Sequence, residues 1–188
     1  MKILVLDNYD SFTYNLVYII RELGYGPNMD IFRNDKITLE SVAQYDKILL
    51  SPGPGVPSDA GIMPKLLKHY ADQKDILGIC LGHQGIGEAF GSSLINLTEV
   101  VHGVASTVKV QKDILFEGLP DTFRIGRYHS WVIDEATLDQ QLFVTAKTPD
   151  GQIMGVRHAH HKVCGLQFHP ESILTEHGHR IMSNWIKS

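Results

Sequence analysis

Three side chains in this sequence combine residue types suited to acyl transfer: a thiol at Cys80, an imidazole at His169 and a carboxylate at Glu171. Cys80 sits in Gly78-Ile79-Cys80-Leu81-Gly82, a glycine-x-nucleophile-x-glycine pattern directly after the apolar run at 75–79. Flanking glycines let a strand turn sharply into a helix and lift the middle side chain clear of the sheet. A thiol at a helix N-terminus faces the positive end of the helix dipole, which favours the attacking thiolate. The pattern by itself leaves Cys80 open between a nucleophile and a buried core thiol.

The stretch QFHPES at 167–172 supplies partners for it. Pro170 cannot donate to a sheet ladder, so the preceding strand must end there, and it pushes His169 into an extended conformation. Residues two apart in an extended chain share a side, so the Glu171 carboxylate can lie beside the His169 imidazole and raise its basicity. The alternative is a surface His-Pro-Glu turn; the strand end it shares with Cys80 favours a Cys-His-Glu triad. A third loop, SPGPG at 51–55, also follows an apolar run. Pro52 and Pro54 have no N–H, which leaves the Gly53 and Gly55 amides as donors for one arm of an oxyanion hole, with the Leu81 amide as the other. Taken alone, that loop reads more readily as a rigid connector. It is not a phosphate loop, since no Gly-Lys-Ser/Thr follows.

The elements that must position these groups alternate in type. Residues 2–7 read as a buried strand, and Ser11 as the cap of a helix with Phe12, Leu16, Ile19, Ile20 and Leu23 on one face and Gly24 as its stop. Strands at 29–32, 47–50 and 75–79 follow, with a helix around Ile62–Tyr70 and another from His83 that Gly91 ends. Such β-α-β-α order implies a parallel sheet wrapped by helices, whose sites form at the carboxyl ends of the strands. Beyond residue 105 the pattern becomes strand after strand, with hairpin turns at 149–151 and 158–162, before a final helix burying Ile181, Met182, Trp185 and Ile186. The fold class is α/β: an open, mainly parallel sheet flanked by helices, with an added antiparallel section.

Composition narrows the functional classes. A net charge of −4 leaves no basic footprint, so nucleic acid is not expected as a partner. Two cysteines make no disulfide framework and suit a reducing cytoplasm. The apolar run before Asp7 is too short for a signal peptide or a membrane span. The histidines at 158–161 fall in a turn without cysteines and read as solvated rather than metal-binding, so no metal site is expected. Cys164, inside a strand, reads as core. The glycines of 85–91 lie within a helix, not in a first βα turn, and are no dinucleotide fingerprint.

DNYDSFTYNL (7–16), SPGPG (51–55), GICLGHQ (78–84), RYHS (127–130) and QFHPES (167–172) resemble the class I (triad) glutamine amidotransferases. Among these the sequence is most similar to the component II subunits of anthranilate synthase and aminodeoxychorismate synthase. DNYDSFTYNL points to these chorismate-using members rather than to relatives serving GMP or carbamoyl phosphate synthesis. The resemblance implies one amidotransferase domain over 1–188 that hydrolyses L-glutamine with Cys80 as nucleophile, His169 as base and then acid, and Glu171 orienting it. It places Gly53, Pro54, Gly55, Gln84, Ser130 and Trp131 where the family holds glutamine. It also implies delivery of ammonia to a chorismate-binding synthase subunit, with Mg2+ on that partner and no cofactor in this chain. The sequence departs from the family at Val104, where lysine is more frequent, and at Trp131, where leucine is. Other readings stay open: the same chemistry serving 4-aminobenzoate, a stand-alone γ-glutamyl thiol hydrolase, or a non-catalytic regulatory subunit, against which the intact triad argues.

Overall fold

Apolar runs of four or five residues, too short for helices, become the buried strands at the centre of the molecule. In this computed structural model, which describes the backbone of residues 1–188 and all side chains except those of Glu99 and Val100, the elements follow in the order β1 (Ile3–Asp7), α1 (Thr13–Glu22), β2 (Met29–Arg33), α2 (Leu39–Val42), β3 (Lys47–Leu50), α3 (Met63–Tyr70), β4 (Asp75–Ile79) and α4 (Leu81–Ala89). Then come β5 (Leu94–Val110), β6 (Thr122–Ile133), β7 (Leu142–Lys147), β8 (Ile153–His158), β9 (Val163–Leu166) and α5 (Gly178–Lys187). All strands join one sheet in the order β2-β1-β3-β4-β9-β8-β7-β5-β6. The pairings from β2 to β9 are parallel and those from β9 to β6 antiparallel, so the sheet is open and mixed, evenly divided between the two senses.

Strand alternation sorts the apolar side chains onto two faces. Ile3, Val5, Leu49 and Leu77 form one core with Leu16, Val17 and Ile20 of α1 and Ile181, Met182, Trp185 and Ile186 of α5. Leu4, Leu6, Ile48, Leu50 and Ile76 form the other with Leu66 and Leu67 of α3 and Ile86 of α4. Gly24 (φ 90°) and Gly91 (φ 88°) end α1 and α4 in the left-handed region, as expected. Ser11 does not cap α1; Phe12 occupies the cap position without a side-chain bond, and Asp10 Oδ1 accepts from the Phe12 N–H at 2.7 Å. Among the described residues no helix is long and apolar enough to cross a membrane.

Two features matter for function. β3, β4 and β9 are neighbours, so the 51–55 loop, Cys80 and the 167–172 segment leave the same sheet edge side by side. The long β5–β6 ribbon slips register between Asn96 and Val101 and again between His102 and Val104. Such irregularities bend and twist a ribbon, and here β6 reaches that edge although it ends the strand order.

The helix that closes the chain constrains the catalytic edge directly. A Cβ on Gly178 would lie 1.7 Å from the Pro170 carbonyl oxygen, so α5 starts hard against the residue following His169. Gly178→Ala must push the two apart. We expect it to cost about 1–3 kcal/mol in urea unfolding, and to impair any reaction that depends on His169.

Candidate active site

Glycines flanking Cys80 are required by contact. A Cβ on Gly78 would meet the Gly82 carbonyl carbon at 2.4 Å, and one on Gly82 would meet the Leu50 oxygen at 2.6 Å. The chain between them turns on Cys80, whose φ of 51° and ψ of −100° are strained for a residue with a side chain. Hydrogen bonds hold that strain: the Cys80 N–H donates to Leu166 O of β9 at 2.8 Å, and the Gln84 N–H to Cys80 O at 3.0 Å. The thiol thereby stands at the N-terminus of α4 above the sheet edge.

His169 and Glu171 meet, but through a turn and not an extended segment. The Ser172 N–H closes back on His169 O at 3.2 Å, and Thr175 Oγ1 donates to the same oxygen at 2.6 Å. The His169 N–H donates to Gly126 O of β6 at 3.1 Å. Within this turn His169 Nδ1 lies 2.7 Å from Glu171 Oε1, so Nδ1 carries the donated proton and Nε2, which has no hydrogen-bond partner, is left for proton transfer. Phe12 and Tyr128 pack edge-on to the imidazole at 5.5 and 4.9 Å, shielding it from water. Burial alone pushes the His169 pKa down, but the Cys80 sulfur and the Glu171 carboxylate outweigh it and raise it to about 10. The ring is therefore imidazolium at neutral pH, paired through Nδ1 with the Glu171 carboxylate.

The 51–55 loop is held by the segment that follows β1. Asn8 donates its backbone N–H to Ser51 Oγ and its side-chain amide to Ser51 O, both at 2.8 Å. Asn34 Nδ2 donates to Asn8 Oδ1 at 3.0 Å and completes the buried set. Gly53 then lies so close to the elbow that a Cβ would sit 2.7 Å from Leu81 Cδ2.

A cleft of about 250 Å³ opens between these loops, lined by Gly53, Gly55, Cys80, Gln84, Tyr128, His129, Ser130 and Trp131. It falls below the roughly 300–1,000 Å³ that takes drug-sized ligands, and suits a single small polar molecule. The larger hollow of about 730 Å³ along 110–121 contains none of the candidate residues. Of the residues expected from sequence, Pro54, Leu81, His169 and Glu171 do not line the cleft: Pro54 stiffens the loop, the Leu81 side chain packs into the core below, and the His169–Glu171 pair is buried behind the cleft wall. Tyr128, His129 and the buried Gln167, whose Nε2 lies 3.6 Å from Cys80 Sγ, had no role assigned from sequence. Their stretches stood out, yet only the bent ribbon and the end of β9 bring those side chains to Cys80.

Other thiol and imidazole groups lie elsewhere. Cys164 is buried in β9, and burial pushes its pKa up to about 12. His158 is not solvated: it is buried, stacked on His161 at 4.2 Å and tilted against Phe90 at 4.4 Å, and its Nδ1 accepts from the backbone N–H groups of His160 and His161. Among the described residues no group of three or more His, Cys, Asp or Glu side chains is arranged to hold a metal ion.

Thiol, imidazole and carboxylate gathered at the carboxyl edge of an open α/β sheet are the equipment of a cysteine-dependent acyl-transfer enzyme. The family model for glutamine amidotransferase class-I matches residues 4–188. Anthranilate synthase component 2 of Pseudomonas putida is 43% identical over 100% of this chain and 97% of its own. Aminodeoxychorismate synthase component 2 of Klebsiella aerogenes is 42% identical over 98% of each. Against a longer relative, the bifunctional protein TrpGD of Thermotoga maritima, the chain spans 32% of that protein's length at 43% identity. The crystal structure of a putative GMP synthase subunit from Thermoplasma acidophilum superposes with a TM-score of 0.88 at 29% identity, covering 100% of this chain and 92% of that one. The chain belongs to the class I glutamine amidotransferases.

An imidazolium at His169 can act as an acid, so its raised pKa sets the upper pH limit of any acylation in which it donates its proton. The acid form is present at neutral pH and is lost as pH rises through about 10. Single-turnover acylation should fall along that limb, and Glu171→Gln should move the fall to lower pH by removing a charge that stabilises the imidazolium.

Proposed function

We propose that this chain is the glutaminase component of anthranilate synthase, hydrolysing L-glutamine and passing ammonia to a chorismate-binding synthase subunit in tryptophan biosynthesis. The observation that carries the reading is the Nδ1–Oε1 pairing of His169 with Glu171 at 2.7 Å beside the elbow that bears Cys80. Similarity to component 2 subunits over essentially the whole chain supports the choice of partner. The near-equal identity to an aminodeoxychorismate synthase component favours a second reading, in which the same glutaminase serves 4-aminobenzoate formation, alone or as well.

The Cys80 thiolate attacks the side-chain carboxamide carbon, and the tetrahedral oxyanion is met by amides of Gly53, Gly55 and Leu81. As the C–N bond breaks, His169 gives its Nε2 proton to the nitrogen, releasing ammonia and leaving a γ-glutamyl thioester. Neutral His169 then takes a proton from water, whose oxygen attacks the thioester carbonyl; the C–S bond breaks and glutamate leaves. Gln84, Ser130 and Trp131 wall the cleft in which the glutamine sits. Free ammonia becomes ammonium in neutral water and loses its lone pair, so efficient use requires a shielded route into the partner. Mg2+ belongs to that partner's reaction, and both subunits work in the cytoplasm.

Cys80→Ser should abolish glutamine-dependent amination of chorismate in the assembled complex, yet leave amination driven by ammonium salts intact. Loss of both activities in an intact complex would refute this division of labour. His169→Ala should match Cys80→Ser, because nucleophile and base act as a unit, while Glu171→Ala should keep more residual activity. Mixing the chain with synthase subunits of each kind, then identifying the product from chorismate and glutamine, decides between anthranilate and the 4-aminobenzoate precursor.

A further inference from the structure

The carbonyl oxygen of Trp131 can only accept hydrogen bonds, so it fixes the polarity of every group bonded to it. On one side Arg127 Nε donates to His129 Nε2 at 3.2 Å, which puts the ring proton of His129 on Nδ1, 3.1 Å from that oxygen. Burial and the Arg127 charge push the His129 pKa down to about 3, so the ring stays neutral and keeps this tautomer. On the other side Gln84 must turn its amide nitrogen to the same oxygen, at 3.0 Å. That nitrogen also lies 3.3 Å from the side-chain amide of Gln167, which must therefore present its oxygen. One orientation remains for Gln167: its NH2 group faces Cys80 Sγ at 3.6 Å.

Gln167 is completely buried and its bond with Gln84 lies inside the protein, so water cannot substitute for that bond. The backbone adds to the alignment. The Gln167 N–H donates to Met154 O at 3.0 Å, and the carbonyl just before it, Leu166 O, receives the Cys80 N–H at 2.8 Å. Sulfur and carboxamide are thereby held at neighbouring strand ends.

We propose that Gln167 is a positioning residue for Cys80. Its N–H donates to the sulfur, directs the attacking lone pair toward the cleft, and stabilises negative charge there before attack and again when the thioester sulfur leaves. Gln84, whose amide nitrogen is committed to Trp131 and Gln167, gives that donor its direction. The inference rests on the amidotransferase reading only in taking Cys80 as the nucleophile.

Gln167→Met keeps the side chain's length and removes the donor, while Gln84→Met keeps Gln167 and removes what orients it. Alkylation of Cys80 by iodoacetamide at neutral pH needs no glutamine and reads the sulfur directly. It should slow about three- to tenfold in Gln167→Met, because the lost donor lowers the thiolate fraction more than it raises the nucleophilicity of the thiolate that remains, and by a smaller factor in Gln84→Met. Single-turnover thioester formation from glutamine should fall in parallel in Gln167→Met with KM unchanged, a split that general loosening of the cleft would not produce. A wild-type alkylation rate in folded Gln167→Met overturns the proposal. If that variant does not fold, an unchanged rate in Gln84→Met overturns it instead. Should alkylation depend on Gln167 while the wild-type chain forms no thioester with glutamine, the substrate assignment fails and the role of Gln167 stands.

Discussion

The backbone of Gly82 presses on Gly78 on one side and on Leu50 of β3 on the other, and the site depends on this double contact. A side chain at either glycine would force α4 away from the sheet. The helix would then no longer start at Cys80, and the positive φ there would lose the hydrogen bonds that hold it. Strain at a nucleophile persists only when its surroundings over-determine it. Here the surroundings are two neighbouring strands, one on each side of β4.

The same tightness extends outward. Leu81, next to the elbow, abuts Gly53, and Gly53 abuts Asn8, so the 51–55 loop has little freedom relative to the thiol. Asn8 carries both the side-chain amide and the backbone N–H that fix Ser51. Polar groups buried this deeply destabilise the fold unless all are bonded, which makes such a network a rigid spacer between loops. At the other flank, Gly126 O accepts from His169 while the Gly126 N–H donates to Thr175 Oγ1 at 2.9 Å. Cys80 and His169 are thus tied to different strands, β9 and β6, and the sheet sets the distance between them.

Strand and helix identities in the parallel half were legible because unbroken apolar runs and glycine stops there coincide with the elements they suggest. The edge shared by Cys80, the 51–55 loop and the His169 segment followed from where each run ended. Local capping was less legible: Asp10, not Ser11, bonds the backbone at the start of α1, a choice made by loop geometry and not by residue type. The turn at 169–172 was read as extended because Pro170 restrains only the residue before it, while Thr175 and Gly126 supply the bonds that close the turn. His158 was read as solvated because the histidine run at 158–161 falls in a turn; Phe90, nearly seventy positions earlier, buries it. Tyr128, His129 and Gln167 escaped because their proximity to Cys80 is created by register slips and strand order, which leave no local trace.

Two thiols that differ in depth and in setting make the chain a counter of its own folded elbows. Cys164 donates weakly to Ile76 O at 3.6 Å, is sealed between strands, and is kept as a protonated thiol by its burial. Cys80 alone lines an open cleft. A thiol-specific electrophile added to native protein is consumed once per correctly built elbow, and a second equivalent reacts only after the sheet has come apart. The stoichiometry of that reaction measures the competent fraction of a preparation, and its second phase times global unfolding.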